Sequence, residues 1–128
     1  MKLKFALLLI FLLPTATFSE DGGSPIGYPS VGEALEALRA NPEAKISTQG
    51  GWTVVEVKND EEMTLWSFTP ESSPAHPAAI KRTIVEKDGS IYIDMKVLCQ
   101  AEKKECDLLI QQFEQLNDNI RKSVQAGS

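Results

Sequence analysis

Two β-rich runs, I-K-R-T-I-V-E-K from Ile80 and S-I-Y-I-D-M-K-V-L to Leu98, flank Asp88-Gly89, a dipeptide that favours a two-residue hairpin turn. Such a turn sets Ile84 opposite Ile93 and Ile80 opposite Val97, so Ile80, Ile84, Ile91, Ile93, Met95 and Val97 share an apolar face. The other face carries Lys81, Thr83, Val85, Lys87, Tyr92, Asp94 and Lys96, which suits one-sided burial in an antiparallel sheet. Arg82 breaks the pattern, falling on the apolar face opposite Met95. Its aliphatic stem is expected to pack while its head reaches solvent at the sheet margin; the functional alternative is an anchor for an anion or carboxylate. A three-residue bulged turn would move Arg82 to the polar side and expose Ile84.

Upstream, 20–29 is rich in Gly, Asp, Ser and Pro and reads as a flexible lead. Ser30 and Glu33 have capping-box spacing, and Val31, Ala34, Leu35 and Leu38 recur at helical spacing, predicting a helix from about Val31 to Ala40 that Asn41-Pro42 ends. Short strands follow near 45–48, 52–57 and 63–69, the last two apolar on both alternations, which marks them as central or doubly covered. Trp52 and Trp66 therefore read as core. Three prolines in 70–79 stop the ladder and require a loop across one end of the sheet. Beyond the hairpin, Cys106, Leu109, Ile110, Phe113, Leu116, Ile120 and Val124 mark a long amphipathic helix. The predicted fold is a single α+β domain over 30–126: an N-terminal helix, an antiparallel meander of four to five strands and a long C-terminal helix, both helices on one sheet face.

The start of the chain changes the compartment. Lys2 and Lys4, the apolar run 5–13 and the small residues before Ser19 have the form of a secretory signal peptide over 1–19, cleaved near Ser19. The apolar run is shorter than the roughly 20 residues of a membrane span. The protein is expected in the periplasm or secreted. Without Lys2 and Lys4 the 13 basic residues fall to 11 against 18 acidic, a net charge of −7 that opposes nucleic acid or anionic lipid as partner and permits a basic protein.

Export also makes the two cysteines a disulfide candidate. Cys99 and Cys106 are seven residues apart, about 10.5 Å in one straight helix and beyond the roughly 7 Å that a disulfide spans. A bond therefore requires the long helix to begin near Lys103, with the end of the last strand folded onto its first turn. A catalytic dithiol would favour two intervening residues, not six.

Catalytic signatures are missing. His76 is the one histidine, which leaves a zinc site short of ligands and a serine triad without its G-x-S-x-G context. Asp60, Glu61 and Glu62 lack the alternation of a calcium loop, and Gly50-Gly51 has no following lysine or helix to hold phosphate. No enzyme activity, cofactor or metal is predicted.

The segments G-G-W-T-V at Gly50, L-W-S-F-T-P at Leu65, H-P-A at His76 and Y-I-D-M-K-V-L-C-Q at Tyr92 together resemble a group of small exported bacterial proteins. The resemblance implies the compartment and assigns no activity. His76-Pro77-Ala78 differs from the His-Pro-Asp of J-domains by its alanine, and β signals on both sides exclude that fold.

Export, small size, acidity, a stapled fold and a proline-stiffened loop point to an interaction module for a protein of the cell envelope: an inhibitor, an immunity-type protein or an accessory factor. Its binding residues are expected in the loop, Ser73, Pro74, His76 and Pro77, with Lys81 and Arg82 beside them. The alternatives are a small-ligand protein with a pocket lined by Trp52, Trp66 and Arg82, suited to carboxylates, and a structural envelope protein. Oligomeric state is not legible.

Overall fold

The computed structural model describes residues 24–126. In chain order they form α1 (Val31–Arg39), β1 (Lys45–Gln49), β2 (Trp52–Lys58), β3 (Glu62–Phe68), β4 (Ala78–Lys87), β5 (Ser90–Cys99) and α2 (Lys103–Ala126). The strands make one antiparallel five-stranded sheet in the order β1-β2-β3-β4-β5, the α+β meander that the pattern predicts. The signal-peptide segment 1–19 lies outside the described residues.

The turn between β4 and β5 is the two-residue form. Asp88 and Gly89 have φ of 56° and 78°, both in the left-handed region that a type I′ turn requires. The register follows, with Ile84 opposite Ile93, Arg82 opposite Met95 and Ile80 opposite Val97. β4 starts at Ala78, inside the predicted loop, because Ala78 pairs with Cys99 of β5; on its other side the Thr69 amide donates to the Ala78 carbonyl at 3.1 Å and the Ala78 amide to Thr69 Oγ1 at 2.9 Å.

Helix α1 begins as its cap dictates. Ser30 is extended and its Oγ accepts from the Glu33 amide at 3.1 Å, but the Glu33 carboxylate takes the Ser30 hydroxyl at 3.0 Å rather than a backbone amide. The orphan amide of Val31 is met from far along the chain, donating to Gln100 Oε1 at 3.1 Å. A Ser30→Ala variant should lose about 1 kcal/mol, seen as a lower urea midpoint at unchanged slope.

The helices lie on opposite faces of the sheet, not on one. Val31, Ala34 and Leu38 of α1 pack with Val55, Trp66, Phe68 and Ala79, whereas Leu109 and Phe113 of α2 pack with Ala78, Ile80, Met95 and Val97. β2 and β3 offer apolar side chains in both directions, so a cover on each face satisfies them. The polar side of the hairpin lies beyond α1, leaving Tyr92 57% exposed.

The described part of the predicted flexible lead, 24–29, is seated on the α1 face. Ile26 is 1% exposed, and Tyr28 meets the Trp66 ring at 5.9 Å between centroids. A glycine- and proline-rich composition conceals these two apolar anchors.

Candidate functional site

The Cys99–Cys106 disulfide is formed, with a Cα–Cα distance of 5.8 Å that the break at 100–102 makes possible. It ties the end of β5 to the first turn of α2. Beside it lies the loop between β3 and β4, held from within and from both flanks. The Ser73 amide donates to the Pro70 carbonyl at 3.0 Å, the His76 amide to the Ser73 carbonyl at 3.1 Å and the Gln100 amide to the Pro77 carbonyl at 2.9 Å. His76-Pro77 is a cis peptide. Ala75, 4% exposed, inserts among Ala78, Ile80 and Leu109.

His76 braces this loop. Its Nδ1 lies 2.8 Å from Thr69 Oγ1 and 3.1 Å from the Thr69 carbonyl. Because a carbonyl only accepts, the proton on that nitrogen favours the tautomer that donates to Thr69. Glu71, Ser72, Pro74 and the His76 side chain remain exposed on a backbone that is otherwise fixed.

The six predicted binding residues do not form one surface. Ser73 and Pro74 border a small cleft with Trp52, Leu108 and Gln112, and the Pro77 carbonyl is taken by Gln100. Lys81 and Arg82 diverge because successive strand residues point to opposite faces. Lys81 Nζ sits 5.3 Å from the centroid of Trp66 on the α1 side, and Arg82 lies under α2. Trp52 and Trp66 are likewise on opposite faces, which rules out the predicted pocket lined by both with Arg82.

Arg82 itself does not reach solvent at the margin. It is 6% exposed, its Cζ is 5.1 Å from the Phe113 ring centroid, and Nη1 donates to Asn117 Oδ1 at 3.3 Å. Asn117, 4% exposed, is the neighbour of Arg82 that the sequence reading missed. It occupies the buried stripe of α2 four residues after Phe113, and a polar residue at a stripe position facing an arginine on an apolar strand face was the available signal. Arg82 Nε is buried with no hydrogen-bond partner, and among the described residues the ion pairs join other side chains. Burial pulls the guanidinium below the ordinary arginine pKa, and arginine keeps its charge in proteins. A charge buried without a carboxylate is costly, by several kcal/mol before ring and amide contacts offset part of it.

Arg82 lines a cavity of about 260 Å³ between α2 and the uncovered part of β2 and β3. Trp52, Val54, Leu65, Phe113 and Leu116 form its apolar walls, with Gln49 and Ser67 as further polar contributors. Trp52 also borders the cleft under the loop, so the two hollows adjoin along one flank of α2. Leu108 and Leu116 on this flank are 46% and 42% exposed.

Searches against protein families, curated proteins and solved structures found no match to this chain. Among the described residues no helix is long and apolar enough to cross a membrane.

Proposed function

We propose that the protein is an exported binding module that engages a protein partner in the cell envelope through the loop 70–77 and the adjoining flank of α2. The observation that carries this reading is the internally fixed loop. Its exposed residues Glu71, Ser72, Pro74 and His76 sit on a backbone already ordered by the Thr69, Ser73 and Gln100 hydrogen bonds. A partner would meet them without the ordering penalty of a loose segment. Leu108, half exposed on the adjoining helix, supplies the apolar centre such a contact needs. The disulfide is compatible with an oxidising compartment, and the acidic chain favours a partner with a basic face.

Wholesale replacement of the loop would damage the fold, because Ala75 is buried and the Pro77 carbonyl is bonded. The test is therefore Pro74→Asp combined with Leu108→Glu in the tagged mature protein, exported in its host. Partner capture should fall at least about tenfold, while the thermal midpoint stays within about 4 °C, as for other exposed positions. Unchanged capture at an unchanged midpoint would place the contact elsewhere.

A further inference from the structure

We propose that the cavity over Arg82 is a binding site for a small apolar monocarboxylate, an aliphatic or aromatic acid whose carboxylate pairs with the guanidinium and whose hydrocarbon body fills the space toward Trp52 and Leu116. Three observations meet here. Arg82 is 94% buried by its 6% exposure, yet among the described residues no carboxylate balances it and Nε has no acceptor at all. The guanidinium is positioned, not loose, because Asn117 holds Nη1 and the Phe113 ring lies 5.1 Å from Cζ. The cavity it lines is otherwise mostly carbon.

A carboxylate is the acceptor that matches a guanidinium edge, since its two oxygens take two parallel N–H donors. Cavity size and wall chemistry choose the body. About 260 Å³ lies just under the range of about 300–1,000 Å³ usual for ligand pockets, which admits a short chain or one ring. The end of a polypeptide would bring amide groups that need partners of their own. Gln49 and Ser67 are the remaining polar residues of the lining, and Gln49 Nε2 already donates to Ser47 Oγ at 3.3 Å. This site adjoins the loop surface at Trp52 but depends on Arg82, whereas the partner contact depends on Pro74 and Leu108, so either reading can fail alone.

The probes are hexanoate and phenylacetate, with hexanamide and phenylacetamide as neutral controls and a blocked Gly-Phe dipeptide with a free carboxylate as a chain-end control. Two signals report on the mature protein: tryptophan fluorescence of a Trp66→Phe variant, in which Trp52 is the one emitter, and the Arg82 Nε–H resonance in a ¹⁵N-correlated NMR spectrum of the wild type. Either acid should move both signals saturably, with the Nε proton going downfield as it gains an acceptor; the amides should not. Arg82→Met should abolish the response and melt at the same temperature or higher, because it removes an unpaired buried charge. Arg82→Lys should weaken the response at least tenfold, keeping the charge without the planar fork. Should Arg82→Met fail to fold, Arg82→Lys and the wild-type Nε shift still decide. The proposal is overturned by no saturation at millimolar acid, by equal binding of acid and amide, by binding retained without Arg82, or by a response to the dipeptide alone.

Discussion

A Trp66→Ala variant should lose about 3–5 kcal/mol of folding stability, the usual loss for a large aromatic removed from a core. Trp66 lies on the middle strand of the five and is 4% exposed. Its ring stacks on Phe68 at 6.0 Å with planes 6° apart, meets Tyr28 at 5.9 Å and carries Lys81 Nζ at 5.3 Å. Val55 pairs with it across the strands, and α1 covers it through Val31, Ala34 and Leu38. Several elements therefore converge on one indole, and none can collapse into the space without leaving its own place. A domain of this size has about 5–15 kcal/mol in total, and the midpoint should fall by at least about 12 °C. Trp52→Ala, at the half-exposed wall of the Arg82 cavity, should cost clearly less. Denaturant titration of both variants checks the ordering; equal losses would mean that the α1 face is not the dominant core.

Replacing both cysteines by alanine should cost about 2.5 kcal/mol, the entropy that so short a covalent loop removes from the unfolded chain, and lower the midpoint by about 10–20 °C. The bond has a second role in the native state. The turn 100–102 that it closes carries Gln100, whose amide holds the Pro77 carbonyl and whose side chain caps Val31 at the start of α1. Loosening that turn should speed hydrogen exchange at the Val31 amide, some seventy residues away in sequence, before global unfolding. Reductant should lower the wild-type midpoint toward that of the double variant and leave the double variant unmoved. A double variant that melts with the wild type would show that the turn is held by its hydrogen bonds alone.

The two sites differ in how far the chain announces them. The loop was legible, as 70–79, because proline placement is a local constraint, though β4 begins at Ala78 within it, and Arg82 stood out because a charge interrupts an apolar alternation. What Arg82 touches was not legible. Asn117 lies 35 residues away on another element, and no local rule joins an arginine on a strand to an asparagine on a helix. The expectation that its head would escape at the margin rested on the alternation of one strand, which says nothing of what covers that strand. In the fold, α2 runs over β4 and β5 and closes that route.

The sequence by itself determined what depends on a few neighbouring residues: the preference of Asp88-Gly89 for a two-residue turn and the register that turn sets for β4 on β5, the Ser30 cap, the need for a break before Cys99 can reach Cys106, and the antiparallel meander. Each rests on backbone dihedrals or on the periods 2.0 and 3.6, which a short window contains. Only the tertiary structure decided which face each helix covers, that Ile26 and Tyr28 anchor the lead, that Gln100 caps α1 and that Arg82 is buried beside Asn117. β2 and β3 are apolar in both directions, so the pattern favours neither face; the choice is made by burial summed over elements far apart in the chain.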